Sequence, residues 1–132
     1  MASIKHPQLA ITTDRPRDRA TIVVSCDVEF TEFEVHAMNM LGVRYTLRCH
    51  LLDMDMLYPD SMVAFDRQEL PRVPGGANTR ELAAFETDAA MSDLHWYVFG
   101  KDTLVARLTL KNEETGVETV KHSDIIKVDL AA

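Results

Sequence analysis

The chain has 132 residues, of which 46% are apolar and 27% are charged, so it has the length and composition of a single globular domain rather than of a disordered segment. Its 21 acidic and 14 basic residues give a formal net charge of −7. This excess of acid leaves no surplus of Lys and Arg to neutralise phosphates. We therefore expect neither a nucleic acid nor an anionic membrane surface as a partner.

The start of the sequence carries no sign of a targeting segment. Residues 1–7 have no apolar run behind Lys5, and no apolar run in the chain approaches the length of a transmembrane helix. We therefore predict a cytoplasmic protein. In that reducing compartment, Cys26 and Cys49 are expected to be buried thiols rather than a disulfide.

Residues 1–19 are predicted to be an N-terminal arm or an edge strand, and residues 20–132 a single domain. The charges of 13–19 are mixed and favour a surface segment, whereas Ile4, Leu9 and Ile11 are compatible with a short strand.

Three segments alternate between apolar and polar residues with period two, which is typical of strands with one buried face. They span residues 20–30, 43–51 and 103–110. Cys26 and Cys49 fall on the apolar faces of their strands, which places both thiols in the predicted core.

The remaining segments have weaker patterns. Residues 33–38 alternate over a shorter stretch and predict a strand that turns at Gly42 into the next one. A short strand is predicted at 62–65 and a loop at 66–80, where prolines and glycines cluster. Residues 80–90 favour a short helix by propensity, although a strand is the alternative.

Seven to nine short strands separated by turns predict an all-β fold, namely an antiparallel β-sandwich with one optional short helix near 80–90. The last thirty residues, whose strands are joined by Glu-Glu-Thr-Gly at 113–116, resemble an immunoglobulin-like sandwich. The chain departs from that family in one respect, because Trp96 follows both cysteines instead of lying between them.

Short catalytic motifs are absent from the sequence. It contains no phosphate-binding loop, no Gly-x-Ser-x-Gly, no Cys-x-x-Cys and no His-Glu-x-x-His. Cys49 and His50 are neighbours in a predicted strand, so their side chains point to opposite faces and cannot form a dyad. An enzyme would have to use dispersed residues such as His36, His50 or Asp55.

Asp53, Asp55 and Asp60 are the candidate metal ligands, because Asp-x-Asp on a loop supplies the oxygen atoms that Ca²⁺ prefers. The loop is not an EF-hand, since Leu57 and Tyr58 stand where a ligand and a glycine are required. A solvated acidic turn is the more frequent use of such a segment, and no cofactor is predicted.

Asp27, Glu29, Glu32 and Glu34 form an acidic stretch that we expect to be a solvent-exposed face. Met38 and Met40 are interpreted as residues that fill the core or contribute to an interface.

Three functional hypotheses follow from the sequence. The first is a non-catalytic protein-interaction or assembly module that binds a protein partner or self-associates, for example as a homodimer. The second is a small-molecule or metal-binding domain that uses the 53–60 and 66–80 loops. The third is an enzyme with dispersed Asp, Glu or His residues.

Overall fold

Two antiparallel sheets, of three and six strands, make up most of the computed structural model, which describes residues 1–54, 61–95 and 100–130. The fold is therefore the all-β sandwich that the alternation predicts. The strands are β1 (Ser3–Asp14), β2 (Arg19–Glu29), β3 (Tyr45–Asp53), β4 (Ser61–Ala64), β5 (Gln68–Leu70), β6 (Arg80–Ala90), β7 (Asp102–Asn112), β8 (Glu118–His122) and β9 (Ile126–Val128). The helices are α1 (Glu32–Leu41) and α2 (Met91–Leu94), and Arg15–Arg17 form one 3₁₀ turn.

The three-stranded sheet has the order β1-β2-β6. The six-stranded sheet has the order β4-β3-β7-β8, with β5 also paired to β3 and β9 also paired to β7. Neither α1 nor α2 has the length and the apolar content that crossing a membrane requires.

The core lies between the sheets and is built by the three segments whose alternation is clearest. The predicted strands at 20–30, 43–51 and 103–110 correspond to β2, β3 and β7, so these predictions are confirmed to within two residues. Alternate side chains of each strand are buried because successive side chains point to opposite faces. The fully buried ones include Ile22, Val24, Leu47, Leu51, Leu104 and Leu108.

The strand predicted at 33–38 is wrong, because these residues lie in α1. The helix begins with a capping box, in which the Thr31 hydroxyl accepts from the Glu34 N–H and the Glu34 carboxylate accepts from the Thr31 N–H. Gly42, predicted as a strand-to-strand turn, instead ends the helix with a left-handed φ of 71°. The alternation spans only six residues, and the capping box of Thr31 and Glu34 overlaps it and favours a helix.

Of the two alternatives predicted for 80–90, the short helix is wrong and the strand is confirmed. These residues form β6, which pairs with β2 over all eleven of its residues. Ala83 and Phe85 are buried on its inner face, and the Phe85 ring packs edge-on against Phe65 with centroids 5.8 Å apart. Pairing and burial therefore override the helical propensity of the segment.

The segment predicted as a loop at 66–80 contains β5 and then covers the open edge of β6. The Gln68 side-chain amide donates to the Ala84 carbonyl at 2.6 Å, and the Arg72 guanidinium donates to the Leu82 carbonyl at 2.7 Å. On the opposite side of the sandwich, β1 lies against β7 and β8.

Both cysteines are free and buried, as predicted. Burial, with a smaller contribution from the Asp27 carboxylate, raises the pKa of Cys26 to about 11. Burial, with a smaller contribution from Cys26, raises the pKa of Cys49 to about 12. Thiols that stay protonated at neutral pH are poor nucleophiles, so these residues serve packing.

The capping box gives a direct test of α1. We expect Thr31→Ala to lower the free energy of unfolding by about 1 kcal/mol, because the Glu34 N–H loses its acceptor. Thr31→Ser keeps the hydroxyl and should remain within about 0.5 kcal/mol of the wild type. Urea denaturation followed by circular dichroism measures both; equal losses in the two variants would contradict the capping role.

Candidate interaction surface

Helix α1 lies where β2 ends and β3 begins, and so it links the two sheets. Asn39 fixes it to the loop before β6, since its side-chain oxygen accepts from the Ala77 N–H at 2.8 Å and its side-chain nitrogen donates to the Ala77 carbonyl at 3.4 Å. Val35 packs against the core and Met38 is buried within it. The helix is therefore held by its inner side, and its outer side faces solvent.

The Glu34 carboxylate joins α1 to three other parts of the chain. One oxygen accepts from the Thr31 N–H at 2.9 Å. The other accepts from the Ala2 N–H at 2.8 Å and from the Tyr45 hydroxyl at 2.9 Å. Tyr45 in turn accepts from the Asn112 side-chain amide at 3.2 Å, so β3 and β7 are connected to the same carboxylate.

The protonation states of this network follow from its hydrogen bonds. Burial alone would raise the pKa of Glu34, but the donors of Thr31, Tyr45 and Ala2 outweigh it and hold the pKa below its usual value of 4.5. Burial and then the Glu34 carboxylate raise the pKa of Tyr45 to about 12. At neutral pH, Glu34 is therefore a carboxylate and Tyr45 a protonated donor.

The solvent side of α1 is apolar, contrary to the usual pattern of a surface helix. Phe33 is 79% exposed, Leu41 77% and Met40 68%. Phe33, Ala37 and Leu41 are spaced by four residues and lie along one stripe of the helix. We call Phe33, Ala37, Met40 and Leu41 the α1 patch.

A groove runs beside the α1 patch. Phe33, Ala37 and Leu41 line one side of a concavity of about 440 Å³, and Val43 and Tyr45 also line it. A second concavity of about 300 Å³ adjoins the first. Five residues line both concavities, namely Met1, Glu34, Tyr45, Asn112 and Thr115.

Carboxylates outnumber cations around the groove, where the one cation among the described lining residues is the Met1 ammonium, 3.7 Å from Glu34. The ionised Glu34 lines it together with the exposed Glu114, and the exposed Glu32 lies in the first turn of α1. The arrangement offers apolar contact area beside a half-buried carboxylate. Sequence reasoning missed this surface because it placed Phe33 in a strand; the signal that could have found it is Thr31-x-x-Glu34 followed by the four-residue spacing.

The predicted metal ligands are only partly within the described chain. Asp53 is the last residue of β3 and is fully buried, whereas Asp55 and Asp60 lie outside the described residues. Within residues 1–54, 61–95 and 100–130, no group of three or more His, Cys, Asp or Glu side chains could hold a metal ion.

Two of the three residues named for an enzyme, His36 and His50, lie within the described chain. His36 is exposed on α1, and His50 lies in β3 on the face of the sheet turned away from the core. Asp55 lies outside the described residues. No hydrogen bond between His36 and His50 is present in the part of the chain that the structure describes.

The acidic stretch is not uniformly exposed as expected. Asp27 is buried, and its carboxylate accepts from the Arg80 guanidinium at 2.7 Å and lies 3.1 Å from His6 Nδ1. Burial opposes ionisation, but these two partners lower the pKa of Asp27. A concavity of about 460 Å³ adjoins this cluster and is also lined by Gln8 and Leu82. Because both partners engage the carboxylate, Asp27 ties β1 and β6 to β2.

Comparisons with known proteins add little. No protein-family model and no curated protein matches the sequence. Among solved structures, beta-glucosidase 3B from Thermotoga neapolitana, in complex with alpha-D-glucose, aligns with 96% of this chain at 7% identity and a TM-score of 0.38. The aligned region spans 16% of that protein's length, and a similarity this weak does not bear on function.

The low pKa of Glu34 predicts a specific pH dependence of stability. A carboxyl whose pKa is depressed on folding stabilises the native state above its unfolded pKa, and that stabilisation is lost as the pH falls through the folded pKa. We therefore expect Glu34→Gln to be less stable than the wild type at pH 7 and to converge with it below pH 4.5.

Urea denaturation at a series of pH values measures this convergence. The matched control is Glu32→Gln, which removes an exposed carboxylate from the same turn of α1. Its stability curve should run parallel to that of the wild type. Parallel curves for Glu34→Gln would show that the carboxylate does not hold α1 through its charge.

Proposed function

We propose that this protein is a non-catalytic interaction module, and that the α1 patch and its groove bind an amphipathic, basic segment of a partner protein. The observation that carries the proposal is the exposure of Phe33, Met40 and Leu41 on one helix, next to a concavity large enough to receive side chains. Contiguous apolar surface of this kind is typical of binding sites, whereas single exposed apolar residues are ordinary.

The chemistry of the partner follows from the charges around the groove. Glu114 and the ionised Glu34 line the groove, and Glu32 lies in the first turn of α1. Their negative charge exceeds the single positive charge of Met1, so a Lys or Arg within an apolar segment would be complementary. A second copy of this chain fits less well. In a twofold dimer the same patch meets itself, which would bring these carboxylates towards their own copies.

The patch also has the composition of an adaptable binding surface. Methionine fills irregular contacts because its side chain is unbranched and polarisable, and Met40 is exposed beside Phe33 and Leu41. Aromatic anchors such as Phe33 contribute disproportionately to binding energy when a partner buries them.

Site-specific photocrosslinking in cells of the source organism tests the proposal. A photoreactive phenylalanine at position 33 should crosslink to a partner protein, and mass spectrometry should place the crosslink in an amphipathic segment with Lys or Arg. The matched control is the same residue at Leu82, which is 64% exposed on β6 and lines the concavity beside Asp27 rather than the groove beside α1.

The identified segment is then synthesised and its affinity is measured by calorimetry. Leu41→Asp should weaken binding by about tenfold or more, because it replaces apolar contact area of the patch with a charge. Leu82→Asp should not weaken it. Leu41→Asp should unfold within about 0.5 kcal/mol of the wild type, since its position is exposed. Leu82→Asp places a carboxylate opposite Asp27, so circular dichroism must first show that this control is folded. Equal crosslinking from positions 33 and 82, or unchanged affinity in Leu41→Asp, would overturn the proposal.

A further inference from the structure

Two arginines in the middle of the six-stranded sheet are half-buried without an acidic partner. Three arginines of the described chain are half-buried, and one of them, Arg44, pairs with Glu69 at 3.1 Å. The other two are Arg48 on β3 and Arg107 on β7. Neither has a carboxylate within 4.0 Å among the described residues, although the chain is acidic overall.

The strand register brings these arginines together on the sheet face turned away from the core. Arg107 is directly opposite His50 on β3 and opposite His122 on β8. Arg48 is two residues from His50 on the same face, which places it diagonal to Arg107, at a Cα separation of roughly 7–8 Å. We call Arg48, His50, Arg107 and His122 the basic row.

No carboxylate of the described residues lies within 4.0 Å of Arg48 or Arg107. The exposed Asp66 and Asp124 follow residues that hydrogen-bond to Cys49 and Ala106, and so they lie near this part of the sheet.

The carboxylates on the described strands of this face are those of Glu69 and Glu118. In the strand register Glu69 is opposite Thr46 and Glu118 is opposite Lys111, two residues further along the sheet than Arg48. Glu69 is already paired with Arg44, and Glu118 is directly opposite Lys111.

His50 supplies an observation that is independent of the arginines. Its Nδ1 atom is buried and has no hydrogen-bond partner. Burial, and then the positive charges of Arg107 and Arg48, lower its pKa. A buried polar atom without a partner and a partly desolvated pair of like charges are both costly. An anion held by both guanidinium groups would relieve the second cost, and one that also accepted from His50 Nδ1 would relieve the first.

We infer that the basic row is a binding site for a phosphate monoester. The two guanidinium groups would donate to the phosphate oxygens. The His50 imidazole would donate from Nδ1 after its ring turns toward the ligand, since Nδ1 is buried. A tetrahedral dianion has enough oxygen atoms to accept from all three groups and carries the charge that matches two arginines. A carboxylate has only two oxygens and one charge.

Titrations with inorganic phosphate and with O-phosphoserine test the inference, with chloride balancing the ionic strength. Two-dimensional NMR of the amide, arginine and histidine nitrogens should show saturable shifts confined to the basic row, with a dissociation constant of about 1 mM or tighter. Acetate should bind at least about tenfold more weakly. Shifts outside the basic row, or equal affinity for acetate, would overturn the site.

Arg48→Gln and Arg107→Gln should each weaken phosphate binding by about tenfold, because each removes a charge-assisted hydrogen bond. The control is Arg19→Gln, which removes the same charge from an exposed position on β2 in the other sheet. It should change the affinity by less than about twofold, since exposed charges at that distance are screened. Equal weakening in all three variants would show a nonspecific effect of net charge.

A final comparison distinguishes the two sources of such a ligand. A peptide that contains phosphoserine binds more tightly than O-phosphoserine if the natural ligand is a phosphorylated protein, and equally if it is a free phosphate monoester. Either result supports the site. Equal affinity of the phosphorylated and unphosphorylated peptides would overturn it.

Discussion

The position of α1 on the sandwich depends on the hydrogen bonds that the Glu34 carboxylate accepts. The carboxylate receives hydrogen bonds from α1, from the N-terminal segment and from Tyr45 on β3, and Tyr45 carries the connection on to Asn112 in β7. A single ionised group therefore orients the helix relative to both sheets. The exposed position of Phe33 and Leu41 follows, because the inner side of α1 is already occupied by these contacts and by Met38.

The two proposed binding surfaces have opposite chemistry and lie on different parts of the sandwich. The α1 patch is apolar and its groove is acidic, whereas the basic row is polar and positively charged. Their separation has a structural basis, since one depends on a helix at the end of the sandwich and the other on strand register in β3, β7 and β8. Occupation of one does not require atoms of the other.

The sequence predicted the core strands well and the surfaces poorly. Alternation over nine or more residues is sufficient to place Ile22, Leu47 and Leu108 in the core, because one-sided burial leaves a regular period. Local propensity failed at 80–90, where pairing with β2 decides the outcome. The basic row could not be predicted, since Arg48 and Arg107 become neighbours only when the strand order is known. The burial and pairing of Asp27 could not be predicted either, because its partners His6 and Arg80 are distant in sequence.

The side chains that cover the edge of β6 have a consequence for aggregation. The exposed backbone of an edge strand is a template on which another extended chain can add. Gln68 and Arg72 occupy two of the carbonyl groups that such a chain would use, and β8 lies beside β1 at the other side. Growth of a cross-β assembly from the native fold would first have to displace these groups. The long strands that form the core are thereby kept from recruiting further copies.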